Sequence, residues 1–371
     1  MTCKKVIIIL FTFVNSLCID AQDLPLGKPW YDTDGKSINA HGAGILVYNN
    51  TYYWFGEFKG AGKTGHQALE GVSCYTSKDL IHWKNEGIAL KVINDTTNML
   101  QPGCLIERPK VIYNKKNKQF VMWFHHELKD MGYKAAMTGL AVANQPQGPY
   151  TYIKSIRPNK QQWPVNFPVE QQIPIDTPVV RGKDTTWRSK VEAGLLVRRD
   201  FKSGQMSRDM TLYVDNDGIA YHIASAEDNQ TLHISKLNDA YTDFTGEYYR
   251  VLPGQANEAP AIFKYKKKYY MFASGTTGWQ PNPGRSFVAA KVTGPWQALG
   301  NPVGGTKDEA ATTFKSQSTY ILPIGKKKNK FIYMGDRWIG DNLIESSYIW
   351  LPIIFENKKP VIYWKDDWAG K

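Results

Sequence analysis

The sequence predicts an all-β protein of the five-bladed β-propeller class, and three observations carry that expectation. First, a polar head, a short apolar strand, a turn and an aromatic strand recur five times. The copies are HGAGILVYNNTYYWFGE from His41, ERPKVIYNKKNKQFVMWFH from Glu107, SRDMTLYVDNDGIAYHIAS from Ser207, NEAPAIFKYKKKYYMFASG from Asn257 and SQSTYILPIGKKKNKFIYMGDRW from Ser316. Second, each hairpin is followed by a further strand-like stretch such as CYTSKDLIHW or LHISKL. Third, 21 Tyr and 12 Trp favour strands, and long stretches of helical period are absent. A β-sandwich with as many strands is the competing architecture, but it gives no reason for the heads to be repeatedly polar.

Each copy carries turn chemistry where a hairpin needs it: Asn49-Asn50, Asn114 to Asn117, Asp215 to Gly218, Lys266 to Lys268 and Gly325 to Asn329. Gly148-Pro149-Tyr150 and Gly294-Pro295-Trp296 read as turns near blade ends. The rhythm breaks between the second and third copies, where residues 155–206 form a Pro- and Gln-rich excursion. Excursions of that length are functional loops, mobile loops or plain surface; this one could wall a site or contact a partner.

Residues 1–21 read as a cleavable export signal: Lys4 and Lys5 open it, Val6 to Val14 form a core too short to span a bilayer, and Ala21 precedes the cut. A lipid anchor on Cys18 fits less well, because Leu17 stands where a small residue is preferred. The expectation is a periplasmic or secreted protein whose propeller occupies 22–371, with no membrane span. Cys3 and Cys18 leave with the signal; Cys74 and Cys104 remain, and two buried thiols fit better than a disulfide. Neither belongs to a Cys/His cluster, so no metal site is expected.

The formal net charge is +12. Its lysines concentrate in KKNK, KKK and KKKNK, each between two aromatic strands, which makes them hairpin tips facing water rather than a nucleic-acid surface.

In a propeller the innermost strands run along the axis, so equivalent ends converge on one mouth. Residues near His41, Glu107, Asp209, Glu258 and Gln317 are thereby expected in one funnel. Carboxylates gathered there without Cys or His ligands suit glycosidic bond cleavage, in which one acid stays protonated for the leaving oxygen. Each acid also has a structural reading: Glu107 paired with Arg108, Asp209 with Arg208, Glu258 as a turn residue. Trp54, Trp279 and Trp338 are candidate platforms for a sugar ring, although Trp also packs blades. Asp215 to Gly218 resembles part of a calcium loop, but the later glutamate is missing.

Through INAHGAGILVYNNTYYWFGE, ERPKVIYN, SRDMTLYVDNDG, NEAPAIF, SGTTGW, FKSQSTYILP and YIWLPIIF, the chain resembles glycoside hydrolase family 43, and within it the exo-β-1,3-galactanase branch. The resemblance implies a cofactor-independent inverting glycosidase acting on a plant-type polysaccharide or oligosaccharide. By motif, Glu258 matches the general acid and Asp209 the aspartate that tunes it. Gln317 matches a glutamine that handles the attacking water, and Glu107 a residue holding the sugar's 2-hydroxyl. Glu57, Tyr133, Asn229, Thr276 and Trp279 match sugar contacts. The family's first-blade aspartate base has no counterpart in NAHGAG. Since a neutral amide is barely basic, Glu107 is the other candidate for the base. Two alternatives stand beside the galactanase reading: an α-L-arabinofuranosidase or related side-chain glycosidase, and a non-catalytic glycan-binding propeller.

Overall fold

The computed structural model describes residues 26–179, 181, 186–325 and 329–366; the export signal lies outside them. Five four-stranded antiparallel sheets follow one another along the chain, each with its strands in consecutive order. The first blade holds β1 (His41–Tyr48), β2 (Thr51–Glu57), β3 (Gly71–Ser77) and β4 (Lys84–Lys91). The second holds β5 (Leu105–Asn114), β6 (Gln119–Glu127), β7 (Met137–Ala143) and β8 (Thr151–Ile156). The third holds β9 (Met210–Val214), β10 (Ala220–Ala226), β11 (Thr231–Leu237) and β12 (Phe244–Val251). The fourth holds β13 (Glu258–Tyr265), β14 (Lys268–Ser274), β15 (Arg285–Ala289) and β16 (Gln297–Gly300). The fifth holds β17 (Gln317–Ile324), β18 (Lys330–Arg337), β19 (Ser347–Glu356) and β20 (Lys359–Ile362). Strands β1, β5, β9, β13 and β17 neighbour one another in a closed ring, with β17 returning to β1. That closure is a propeller, and it excludes the sandwich.

The expected turns form. Asn49 and Asn50 both adopt left-handed φ, as a two-residue hairpin with the right-handed strand twist requires. Lys266 and Lys267 adopt the same geometry against their intrinsic preference, leaving Lys268 as the first residue of β14. Lys326 to Lys328 lie outside the described residues. Among the described residues, helices are confined to single turns or little more: α1 (Trp187–Glu192), α2 (Leu195–Arg199) and α3 (Lys307–Thr312).

Cores fill the wedges between blades. The largest joins the fourth, fifth and first blades, where Trp30, Trp54, Trp83 and Trp350 pack with ring centroids 4.9–5.9 Å apart. Trp54 is wholly buried there, donating Nε1–H to the Ala40 carbonyl, so it packs blades and does not stack on sugar. Cys74 and Cys104 are free and buried in the wedge between the first and second blades.

The excursion after β8 lies on the outermost strand of the third blade. Val165 N–H donates to Tyr248, Asn166 exchanges hydrogen bonds with the Arg250 backbone, and Phe167 packs with Val197 and Tyr248.

One irregularity builds the site. In β1, β5 and β13 the residue after the head has left-handed φ, Gly42 at 57°, Arg108 at 53° and Ala259 at 53°, and the pairing register shifts there. A bulge of this kind leaves a backbone N–H out of the ladder and re-aims the neighbouring side chains. The Arg108 N–H donates to Glu57 Oε1 at 2.8 Å and the Ala259 N–H to Asp209 Oδ2 at 3.1 Å, so each freed donor holds a carboxylate of the preceding blade.

Candidate active site

Glu107, Asp209, Glu258 and Gln317 meet as expected at one end of the axis. With Glu57, Tyr133, Asn229, Trp279 and Trp338 they line a single cavity of about 270 Å³, completed by Arg108, His125, Arg208 and Gly278. Two of the expected residues lie outside this lining. Thr276 is exposed on the loop after β14 and does not line the cavity. His41 is fully buried, stacked on Tyr348 with its Nδ1 3.6 Å from Asp336, and contributes no wall. The first blade reaches the site through Glu57, which pairs across from His41 on β2. A Cβ on Gly42 would lie 1.9 Å from Glu57 Oε1, so a glycine after the head makes room for that carboxylate.

The ion pairs are not between sequence neighbours. Glu107 contacts His125, with Oε2 3.0 Å from Nδ1, and its Oε1 accepts from the Tyr133 hydroxyl at 2.8 Å. His125 reaches Glu127 through Nε2 at 2.9 Å. Burial opposes charging this ring, but the two carboxylates outweigh it and raise its pKa to about 9, so it is an imidazolium at neutral pH. Burial likewise works against ionised Glu107, yet His125, Lys59 and Tyr133 overcome it and hold the acid well below the usual range. Such a carboxylate accepts hydrogen bonds well and protons poorly.

Arg108 bonds Asp209 instead of Glu107. Its Nη2 donates to Asp209 Oδ2 at 3.0 Å and to Gln317 Oε1, while Nη1 donates to the Ser318 carbonyl. Arg208 turns away to the Tyr133 carbonyl. Glu258 is left without a cation of its own. Burial and the charge of Asp209 raise it to about 8, despite Arg108 and Arg208 nearby, so it holds its proton at neutral pH. Its Oε1 accepts from Asn229 Nδ2 at 2.5 Å.

The Gln317 amide has one orientation. Oε1 receives Arg108 and also Trp338 Nε1–H at 3.0 Å, while Nε2 donates to Ser274 Oγ at 2.9 Å. Arginine and the indole N–H can only donate, so turning the amide over would set donor against donor. With both oxygen lone pairs engaged, the remaining Nε2–H is the part of Gln317 that can meet a water. A neutral imidic tautomer would place an O–H among those same two donors.

Beside Gln317, Trp338 and Trp279 pack edge to face at 5.2 Å, with Lys59 Nζ 5.7 Å from each ring and paired to Glu57. Glu107, His125 and Asp209 bring donor-type atoms within 4.8 Å of one another. A cation there would displace the Arg108 and His125 charges already bound to those carboxylates.

His125, Glu127 and Lys59 escaped the sequence reading, and Arg108 entered it only as a partner for Glu107. Counting back from the turn after Asn114 without a bulge sets Glu107 opposite His126; the register shift between Glu107 and Lys110 brings His125 there. The HHE string was the available signal, and the bulge concealed which histidine mattered.

Residues 182–334 match the model of glycosyl hydrolases family 43. No curated protein matches. Among solved structures, the GH43 β-1,3-galactosidase BT3683 with galactodeoxynojirimycin is 47% identical, with 92% of this chain and 99% of that chain covered and a TM-score of 0.87. An exo-β-1,3-galactanase from Phanerochaete chrysosporium with galactose is 35% identical over 92% of this chain and 66% of that one, TM-score 0.73. One from Clostridium thermocellum is 32% identical over 93% and 67%, TM-score 0.74. The chain thus spans nearly all of the first relative and about two thirds of the other two. By fold, by site and by this likeness over its length, the chain belongs to glycoside hydrolase family 43.

Proposed function

We propose that the protein is an inverting, exo-acting β-1,3-galactosidase that removes terminal galactose from a β-1,3-galactan backbone. The observation that carries this reading is Glu258, a carboxylic acid kept protonated at neutral pH inside a small pocket whose other acids are engaged by cations or backbone. About 270 Å³ is at the small end for a ligand pocket and suits one sugar ring better than a chain running through. Below it the inner strands are tied together by Lys110 to the Gly42 carbonyl, Thr319 to Ala43 and Ser318 to Ala259, which supports attack at a chain end.

In this reading Glu258 delivers its proton to the glycosidic oxygen. Positive charge then develops on the sugar ring, and the ionised Asp209 and Glu107 stabilise it. Asp209 also keeps Glu258 protonated, and Glu107 with Tyr133 holds a hydroxyl. Gln317 orients the attacking water through Nε2–H. An oxocarbenium-like transition state lowers the demand for a strong base, because water attacks an already electron-poor carbon and loses its proton late. Trp279 and Trp338 offer the sugar an apolar face, and Glu57 and Asn229 complete its polar surroundings.

The test is incubation with β-1,3-, β-1,4- and β-1,6-linked galactobiose and with arabinofuranosides, following the first products by NMR. Galactose from the β-1,3 disaccharide, appearing first as the α anomer, is expected. Release of arabinose alone, or retention of the β anomer, overturns the substrate or the stereochemistry respectively. We also propose that the protein is exported, on the strength of residues 1–21; N-terminal sequencing of the protein from its native host should begin after Ala21.

A further inference from the structure

We propose that the excursion between the second and third blades positions the acid: Arg199, acting through Asp228, holds the turn that presents Asn229 to Glu258. The inference rests on Glu258 being the general acid.

The turn joining β10 to β11 is unusual. Glu227, Asp228 and Asn229 have φ of 53°, 54° and 62°, three successive left-handed residues with no glycine. L side chains adopt that conformation rarely and singly, so a run of three persists only where its surroundings impose it. The surroundings are visible. Glu227, wholly buried, takes Arg250 Nε and Nη2 on its two oxygens and His233 on one of them. Asp228 takes Arg199 Nη1 at 2.7 Å, and Arg199 is itself held by both oxygens of Asp200. Gln230 N–H donates to the Glu227 carbonyl.

Both arginines tie the turn to the excursion. Arg199 is the last residue of α2, and Arg250 sends its remaining donors to the carbonyls of Val191 and Glu192 in α1. The excursion is anchored in turn on the third blade by Asn166 on Arg250 and by Asn159 on Ser235. None of the described residues between 155 and 206 lines the cavity, so the excursion acts on it indirectly, and this turn connects it to Glu258.

What passes is a hydrogen bond. Asn229 Nδ2 occupies Glu258 Oε1 and leaves Oε2 as the oxygen that carries the acidic proton. A turn that relaxed would free the carboxyl to rotate and misdirect the proton. It would also remove a donor that favours the ionised form, so the acid would become weaker. The charged groups acting on Glu258 are otherwise unchanged: Arg208 and Asp209 just before β9, Glu107 and Arg108 from β5, and Arg285 from β15. Freeing Asp228 from Arg199 adds negative charge nearby, which acts in the same direction.

The experiment uses the full chain with β-1,3-galactobiose, measuring kcat, KM and the pH profile of kcat/KM for Arg199→Met, Arg199→Lys and Asp228→Ala. For Arg199→Met, kcat should fall about tenfold or more with KM nearly unchanged, and the alkaline limb should move to higher pH. Arg199→Lys, which keeps a cation against Asp228, should recover most of both. Should Arg199→Met not fold, Asp228→Ala carries the same expectation for kcat and KM, since Arg199 keeps Asp200; because it also removes the negative charge, no rise of the alkaline limb is expected of it. A folded variant with unchanged kcat and alkaline limb overturns the proposal, as does a loss that appears only in KM or only in thermal stability. If Glu258→Gln itself kept full activity, the assignment of the acid would fall instead, so the two failures are distinguishable.

Discussion

Glu258 and Glu107 are the same residue type at equivalent strand heads, and their surroundings drive them apart. Glu107 faces an imidazolium and a hydroxyl donor; Glu258 faces a carboxylate and an amide. Replacing Glu258 with Gln should lower kcat on β-1,3-galactobiose by about 10²–10⁴-fold while galactose still binds by calorimetry. Turnover at the wild-type rate would remove it from the mechanism. Because the acid works protonated, kcat/KM should be full below its pKa of about 8 and fall as pH rises through it. Asp209→Asn removes the negative neighbour and releases Arg108, both of which favour the ionised acid; the alkaline limb should therefore move to lower pH. An unmoved limb would mean that another group sets it. At Gln317, Ala removes the oriented N–H and should reduce kcat by about 10² with the product anomer still inverted. Steady-state kinetics with NMR of the product check both points, and an Ala variant at full rate would exclude a role in holding water.

At the scale of elements, the bulges of β1, β5 and β13 do the assembling. In β5 and β13 the freed N–H holds a carboxylate of the preceding blade, and in β1 Gly42 leaves room for Glu57, so the site is stitched at the seams between sheets. The turn after β10 depends on the buried pair of Glu227 and Arg250. Burial opposes ionised Glu227, but His233 and Arg250 hold its pKa below the ordinary value. Its contribution to stability is therefore full above the ordinary carboxylate range and lost as pH falls through the lowered one. Arg250→Met, which strands the carboxylate, should cost about 3–5 kcal/mol in urea unfolding at pH 7. A change under 1 kcal/mol would show that the pair is idle.

In the whole molecule, among the described residues, closure is made without exchanging a strand between the last and first blades. Trp30 enters the wedge instead, against Trp54, Tyr348 and Trp350, while Gly27 donates to the Tyr348 carbonyl and Tyr348 bonds Ile38 and Ala40. Truncating Trp30 to Ala should cost about 3–5 kcal/mol and lower the thermal midpoint, because the indole is deeply buried in the core that joins first and last blades. An unshifted midpoint would place closure elsewhere. Five repeated heads, their turns and the acids at Glu107, Asp209 and Glu258 could be read along the chain, because hairpin chemistry is local and strand alternation has a short period. Gln317 could be read with them as an amide among acids. Its handling by Arg108 and Trp338 could not, nor could the pairing of Glu107 with His125, the burial of Trp54 and His41, or the hold of residues 155–206 on Asn229. Each of those depends on a one-residue bulge, on which blades meet across a seam, or on how an irregular segment folds back onto a blade, and such contacts leave no periodic trace in the sequence.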